Sequence, residues 1–280
     1  MELLKRDHRK RRRIFISSLP KSGTHLVTKC LSNVEGLKDG YHFLDRRLSA
    51  SQGHLTTDPN RAVIIGVDDP RFIKKEVVES ILRRIGNNRY ISGHIPYTKN
   101  MEDILDKYGY RCIAIIRDPR DVVVSHVHFL LRTEDHYLHD YYHSLQDFDK
   151  CLMQSIIGYQ DATKGLKVSS IVELVKSISA WDESPICYLT RFEDLIGERG
   201  GGSAGKQRKE ILLIAEHIGI SLSNQKVLDI MEKMFGGSHT FRKGQIGDWK
   251  EAFKEEHKEA CKAIAGDLLI ELGYEKNMEW

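Results

Sequence analysis

The sequence has no apolar run long enough to cross a bilayer. Its densest stretches, Ile113 to Ile116 and Val122 to Val124, are the size of a strand or a helix turn. The amino-terminal residues are charged with no apolar stretch behind them, so they do not read as a secretory signal. Cysteine is sparse: Cys30, Cys112, Cys151, Cys187 and Cys261 are odd in number, widely spaced and free of any CxxC pair. That pattern argues against a disulfide framework or a structural zinc site, and with the missing signal it predicts an intracellular, cytoplasmic protein. The run Gly200 to Gly202 lacks the spacing of a dinucleotide fingerprint. What remains is ordinary globular composition: 280 residues, 40% hydrophobic, 30% charged, 6 prolines.

Net charge is only +3, but it is unevenly placed. Residues 1–13 hold seven cations against Glu2 and Asp7, so the body of the chain is slightly acidic. We divide the chain into a basic amino-terminal arm, 1–13, and one domain, 14–280. The arm reads either as a solvated segment or as a contact for an anionic surface such as nucleic acid.

Apolar runs at Arg13–Ser18, Ala62–Val67, Arg89–His94, Arg111–Ile116 and Ile186–Thr190 read as strands. Helical periodicity predicts helices over 24–31, 71–85, 101–107, 119–132, 145–159, 169–181, 207–218, 224–235 and 250–272. Thr24 is a candidate N-cap, and Pro119 stands in a first turn, where its missing N–H costs nothing. Gly197–Gly205 reads as a flexible surface loop. Alternation of strands and helices predicts a single α/β domain, with a central, mostly parallel sheet flanked by helices.

Three segments carry candidate chemistry. Ser18-Leu19-Pro20-Lys21-Ser22-Gly23-Thr24 joins the first strand to the first helix, where backbone N–H groups, the helix N-terminus and the Lys21 charge suit an anion. It is not a Walker A sequence, because the lysine precedes the glycine and the first glycine is missing. Arg117 follows the strand Arg111–Ile116, where a nucleotide triphosphatase would place a magnesium-binding aspartate. A guanidinium at that strand end suits a bidentate phosphate contact, with Ser125 two helical turns along; pairing of Arg117 with Asp118 or Asp121 is the alternative. Finally, Thr240-Phe241-Arg242-Lys243-Gly244 sets two cations beside a glycine, a pattern for a loop that closes over a phosphate.

Taken together these segments resemble the sulfotransferase superfamily over roughly residues 13–274. PKSGT resembles its 5′-phosphosulfate loop, RDPRDVVVS its 3′-phosphate site, and Arg242–Phe253 (RKGQIGDWKEAF) its nucleotide-closing loop. Phe192-Glu193-Asp194-Leu195 and Leu272-Gly273-Tyr274 also fit. The resemblance implies a P-loop-like α/β fold and transfer of a sulfuryl group from 3′-phosphoadenosine 5′-phosphosulfate (PAPS), with 3′-phosphoadenosine 5′-phosphate (PAP) as product and no metal. It implies that Lys21, Ser22, Gly23, Thr24 and His25 bind the donor's 5′ end, and that Arg117, Ser125, Arg242, Lys243 and Gly244 hold its 3′-phosphate. Ser92-Gly93-His94-Ile95-Pro96 matches the family's Lys-Thr-His-Leu-Pro type motif and makes His94 the general base. Lys21 would stabilise the leaving phosphate oxygen. The family's adenine-stacking tryptophan is Leu26 here and its tyrosine is Phe192, leaving Thr240 and Phe241 to supply adenine contacts. Phe253-Lys254-Glu255-Glu256 departs from the family's Lys-Thr-Val-Glu dimer motif, so that mode of dimerisation is not implied.

The expected acceptor is a small molecule bearing a hydroxyl or amine, with no nucleic-acid or membrane partner. A dense group joins His126, His128, His136, His139 and His143 to Asp135, Asp140, Tyr137, Tyr141 and Tyr142; imidazole and carboxylate are good metal ligands, but no short ligand spacing is met, and the group is expected to shape the acceptor pocket. A carbohydrate or a peptide tyrosine is the alternative acceptor, and two rival readings stand beside the whole assignment. One is a P-loop kinase or nucleotidase using Asp68 and Asp69 for magnesium, and the other a nucleic-acid-binding module using the basic arm.

Overall fold

The computed structural model describes residues 12–40, 44, 48, 54–163, 165–237 and 241–280. The basic arm, apart from Arg12 and Arg13, and Thr240 therefore lie outside the described residues. Nine strands are described: β1 Arg13–Ser18, β2 Lys38–Asp39, β3 Ala62–Ile65, β4 Arg71–Lys74, β5 Arg89–Gly93, β6 Tyr110–Ile116, β7 Tyr159–Asp161, β8 Leu166–Val168 and β9 Cys187–Arg191. Five of them form the central sheet in the order β2-β5-β1-β6-β9, every neighbouring pair parallel.

The strands are near-continuous apolar runs because both faces are buried, as covered parallel sheets require. Side chains alternate across the sheet: Phe15, Cys112, Ala114 and Ile116 pack into one core, and Ile14, Ile16, Ile113 and Ile115 into the other. Burial of each such aliphatic side chain stabilises the domain by about 1.5–3 kcal/mol, so every central strand is pinned in register by several independent anchors.

Helices cover both faces: α1 Thr24–Ser32, α2 Lys75–Arg84, α3 Lys99–Lys107, α4 Pro119–Arg132, α5 His139–Ser144, α6 Phe148–Ile157, α7 Ile171–Ser179, α8 Phe192–Leu195, α9 Ala204–His217, α10 Asn224–Met234, α11 Trp249–Ala252 and α12 Glu255–Glu271. Local signals explain several of the boundaries. Asp118 accepts from the Arg120 N–H ahead of Pro119, and Ser170 with Glu173 forms a reciprocal cap on α7.

Five expectations are corrected. The strand at Ala62 lies outside the main sheet and pairs antiparallel with β4, while the helix expected from residue 71 begins only at Lys75. Ile73 belongs to a two-residue strand period, facing Val63 and alone buried in its strand, although it also fits the helical stripe. Thr24 is the first helical residue, and Gly23 occupies the cap at φ 115°. The terminal helix breaks at Phe253 and Lys254, where burial of the Trp249 and Phe253 rings against each other (5.9 Å) outweighs one continuous helix. The Gly197–Gly205 stretch is an ordered platform: Gly200 is buried, and a Cβ there would lie 2.2 Å from the Ile196 side chain and 2.7 Å from the Gly244 carbonyl.

Candidate active site

The parallel sheet brings the carboxyl ends of β1, β5 and β6 together, the edge where loops of open α/β sheets bind ligands. The turn after β1 is shaped by Lys21 at φ 68° and Gly23 at φ 115°, both left-handed. Glycine is required at 23 twice over, since a Cβ would also lie 2.9 Å from Ile115 Cδ1 and 3.0 Å from the Phe192 ring. Ser22 is fully buried, and its hydroxyl donates to the carbonyls of Leu19 (2.9 Å) and Ile115 (3.1 Å). Its side chain therefore ties the turn to β6, and Ser22 is not among the residues that line the cavity above the turn. The Thr24 and Ser18 hydroxyls share a 2.6 Å hydrogen bond.

A cavity of about 1170 Å³ opens over this turn. Lys21, Gly23, Thr24 and His25 line it, as do Arg117 and Ser125 from the second segment, and Phe241, Arg242, Lys243 and Gly244 from the third. Three segments far apart in sequence thus converge on one pocket. Leu26 and Phe192 line it as well.

Arg117 joins the three. Its guanidinium donates from Nη1 to the Lys21 carbonyl (3.3 Å) and from Nη2 to the Gln245 carbonyl (2.7 Å), and lies 4.3 Å over the Phe192 ring. Nη2 also stands 3.5 Å from Asp121 Oδ2, so the ion pair weighed as an alternative exists alongside cavity lining. Buried Nε has no hydrogen-bond partner, and neither does buried Nε of Arg242. Asp118 is engaged instead by Arg120, which stacks on Trp249 (3.9 Å) and Trp280 (4.4 Å).

Lys21 is strongly perturbed. Burial first, then the charges of Arg132, Arg117 and Arg242, pull its ammonium down to about 8. Its Nζ sits 5.0 Å from the centre of the Phe129 ring. His25 is lowered by burial and then by Lys21, His94 and Lys29. In the third segment, Arg242 and Lys243 both bind the Asp248 carboxylate, Lys243 at 2.6 Å. Burial works against charge on Asp248, yet hydrogen bonds from Lys243 and Arg242 hold its carboxyl below the usual range.

His94 follows β5, next to the end of β1 because Ser17 and Gly93 are in register. Its Nδ1 lies 2.8 Å from the Ser18 carbonyl oxygen. A carbonyl can only accept, so Nδ1 carries the proton and the neutral ring keeps its lone pair on Nε2, the tautomer a base needs. The segment is held rigid from behind, since the Ile95 carbonyl accepts from Ser17 Oγ (2.6 Å) and Trp181 Nε1 (3.0 Å). His94 lines the same cavity.

Sequence reasoning missed several contributors. Asp121 is buried and accepts from the N–H groups of Gly247 (2.8 Å) and Trp249 (3.0 Å), fixing the third segment to α4. Ile246 N–H donates to the Gly200 carbonyl (3.0 Å) and Gln245 Nε2 to the Arg199 carbonyl (2.9 Å), so the glycine run is the seat of that loop. Glu193 accepts from the Asp118 N–H and is pushed up to about 7, chiefly by burial. Phe129 and Arg132 also line the cavity, and their spacing from Ser125, one and two helical turns on, was the available signal.

The acceptor expectation is corrected in part. Tyr142 is buried and bonded to Ser155 (2.7 Å), and Tyr141 donates to Gln154 and stacks on Tyr159 (5.3 Å). Neither lines the cavity, because α5 turns that face toward α6. His139 is engaged by the Leu130 carbonyl (2.9 Å), whereas His136 does line the cavity. The kinase reading loses its paired carboxylates: β3 is outside the main sheet and Asp69 is bound by Arg71 (2.8 Å), while Asp68 alone of the two lines the cavity.

Comparison with known proteins identifies the family and the fold. Residues 11–236 match the profile of the family described as "Sulfotransferase domain", a region that ends before Arg242. A "Flavonol sulfotransferase-like" protein of Flaveria bidentis is 25% identical over 215 residues, 72% of this chain and 68% of the relative. Among solved structures, mouse sulfotransferase SULT7A1 complexed with PAP superposes with a TM-score of 0.57 at 16% identity, covering 92% of this chain and 84% of the other. Retinol dehydratase, complexed with androsterone and the inactive cofactor PAP, gives 0.53 at 18% identity over 92% and 80%. With a family match spanning more than half of its length and the α/β fold those structures share, this chain is an enzyme that belongs to the sulfotransferase family.

Proposed function

We propose that the protein transfers the sulfuryl group of PAPS to a hydroxyl of a small-molecule acceptor. The observation that carries this reading is the convergence of Lys21, Arg117, Arg242 and Lys243 on one cavity that also contains His94. The fit to a nucleotide with two separate anionic groups rests on the donors present: four cations, with buried Nε groups of Arg117 and Arg242 still lacking partners.

Arg117, Ser125, Arg242, Lys243 and Gly244 would hold the 3′-phosphate, and the turn Lys21, Ser22, Gly23, Thr24 and His25 the 5′ end. Release of the Arg242 and Lys243 side chains from Asp248 is the adjustment this requires. PAPS supplies an activated sulfuryl group whose S–O bond to phosphate breaks as the S–O bond to the acceptor forms. By analogy with phosphoryl transfer, charge builds on the departing oxygen. Lys21 interacts more strongly with that oxygen as the charge grows, which lowers the barrier. His94 Nε2 takes the proton from the acceptor hydroxyl.

A small acceptor is supported by the flavonol named in the relative and the androsterone bound in a structural neighbour, together with Phe129 in the cavity wall. Five free thiols suit the reducing cytoplasm, where we place the enzyme. The test is transfer of label from [35S]PAPS across a panel of phenols, aliphatic alcohols, sugars and amines. Label on a phenol, alcohol or free sugar supports the reading, and transfer confined to amines contradicts the acceptor class.

A further inference from the structure

Three side chains with no part in the proposed transfer meet beside this cavity: Asp68, which follows β3; His126, buried in α4; and His136 in the segment after α4. Each offers a metal-ligating atom, and these atoms all lie within 4.8 Å of one another. His126 is only 5% exposed, and its Nε2 is buried without a hydrogen-bond partner. The nearest carboxylate oxygen, Asp68 Oδ2, stands 3.7 Å away, too far for a hydrogen bond. A buried imidazole nitrogen left beside a carboxylate is costly unless something positive comes between them.

We propose that Asp68, His126 and His136 bind a divalent transition metal of the zinc type. Tetrahedral zinc ligands at about 2.0–2.1 Å from the ion are about 3.4 Å apart, and the 3.7 Å His126–Asp68 separation is close to that value. His136 is the adjustable ligand. It is half-buried, and its Nδ1 accepts only a 3.2 Å contact from the Leu138 N–H, within its own turn, which the ion replaces. Asp68 is held from outside by Tyr137, whose hydroxyl donates to the Asp68 carbonyl (2.8 Å).

Two imidazoles and one carboxylate leave the fourth position open, as in catalytic rather than structural zinc sites. Asp68 and His136 line the cavity that also contains His94, so the open position is available to a ligand there. An acceptor hydroxyl bound to the ion would be acidified before His94 takes its proton; this last step, unlike metal binding itself, rests on the proposed transfer reaction. Short-range spacing could not reveal the site, because Asp68 comes from a different part of the chain.

The test is calorimetric titration of ZnCl2 into the untagged, EDTA-treated full chain without nucleotide, followed by Co2+ substitution. The expected result is one equivalent of saturable binding and the intense visible bands of a tetrahedral cobalt ion. Asp68→Asn and His126→Gln should each weaken binding at least tenfold, and His143→Gln should not. Because His126 is buried, Asp68→Asn with wild-type thermal unfolding serves as the variant free of folding effects. Absence of saturable binding, or binding unchanged in Asp68→Asn, overturns the proposal. PAP affinity, measured in parallel, reports on the donor site alone, so failure of one reading is distinguishable from failure of the other.

Discussion

Gly244 holds the turn of the third segment at φ 63°, and a Cβ added there would lie 2.5 Å from Phe241 Cε2 and 3.0 Å from Cζ. Phe241 in turn packs edge-on against Phe235 at 5.3 Å. In Gly244→Ala the left-handed backbone costs about 1 kcal/mol for an L-residue. The ring can swing clear only by leaving Phe235, which forfeits about 1 kcal/mol of aromatic pairing. Together that is about 2 kcal/mol against the conformation in which Arg242 and Lys243 face the cavity, or about 30-fold weaker PAP binding. Isothermal calorimetry with PAP reads this directly. Gly36→Ala is the control: it shares the positive φ (82°) but its Cβ meets nothing within 4 Å, so it should lose some stability and no PAP affinity. PAP affinity of Gly244→Ala within twofold of wild type refutes the reasoning.

Further expectations follow from the charged and catalytic groups. His94→Ala should lower kcat by about 10²–10⁴-fold, the usual contribution of a positioned base, with PAP affinity nearly unchanged; turnover within a fewfold of wild type contradicts the assignment. Lys21 titrates at about 8 in the folded protein against its ordinary 10.5. Below about pH 8 both states carry the proton and the cost of burying the charge is fully present; between about 8 and 10.5 the folded state sheds it, so that cost fades as pH rises. Lys21→Met should therefore raise Tm at pH 7 while abolishing transfer, and flatten the gain in wild-type stability over that alkaline window; a lower Tm at pH 7 contradicts it. Arg117→Lys keeps the charge but loses the planar fork that reaches both the Lys21 and Gln245 carbonyls, and PAP binding should fall at least tenfold by calorimetry.

The central strands were legible because burial on both faces leaves unbroken apolar runs, and their order along the chain fixed a parallel sheet. Lys21 and Arg117 were legible as candidates because they sit at a strand-to-helix turn and a strand end, where a positive charge suits an anionic ligand. Pairings between distant segments were not. Ile73 satisfies both a helical and a strand period, and only its partner Val63 decides between them. The fully buried Ser22 hydroxyl is spent on the Leu19 and Ile115 carbonyls, a pairing with β6 that no local pattern shows. Gly200 reads as a flexible linker until the Gly244 loop is laid upon it, and Asp121 as a surface carboxylate until the Gly247 and Trp249 N–H groups reach it.

The most direct test is calorimetric titration of PAP without Mg²⁺ into the wild-type protein and into Arg117→Ala and Arg242→Ala. One-to-one binding, unaffected by Mg²⁺, stronger than that of ATP and weakened in both variants, is the predicted result. Absence of PAP binding, or ATP-selective binding that needs Mg²⁺, would contradict a single donor pocket built from the three segments.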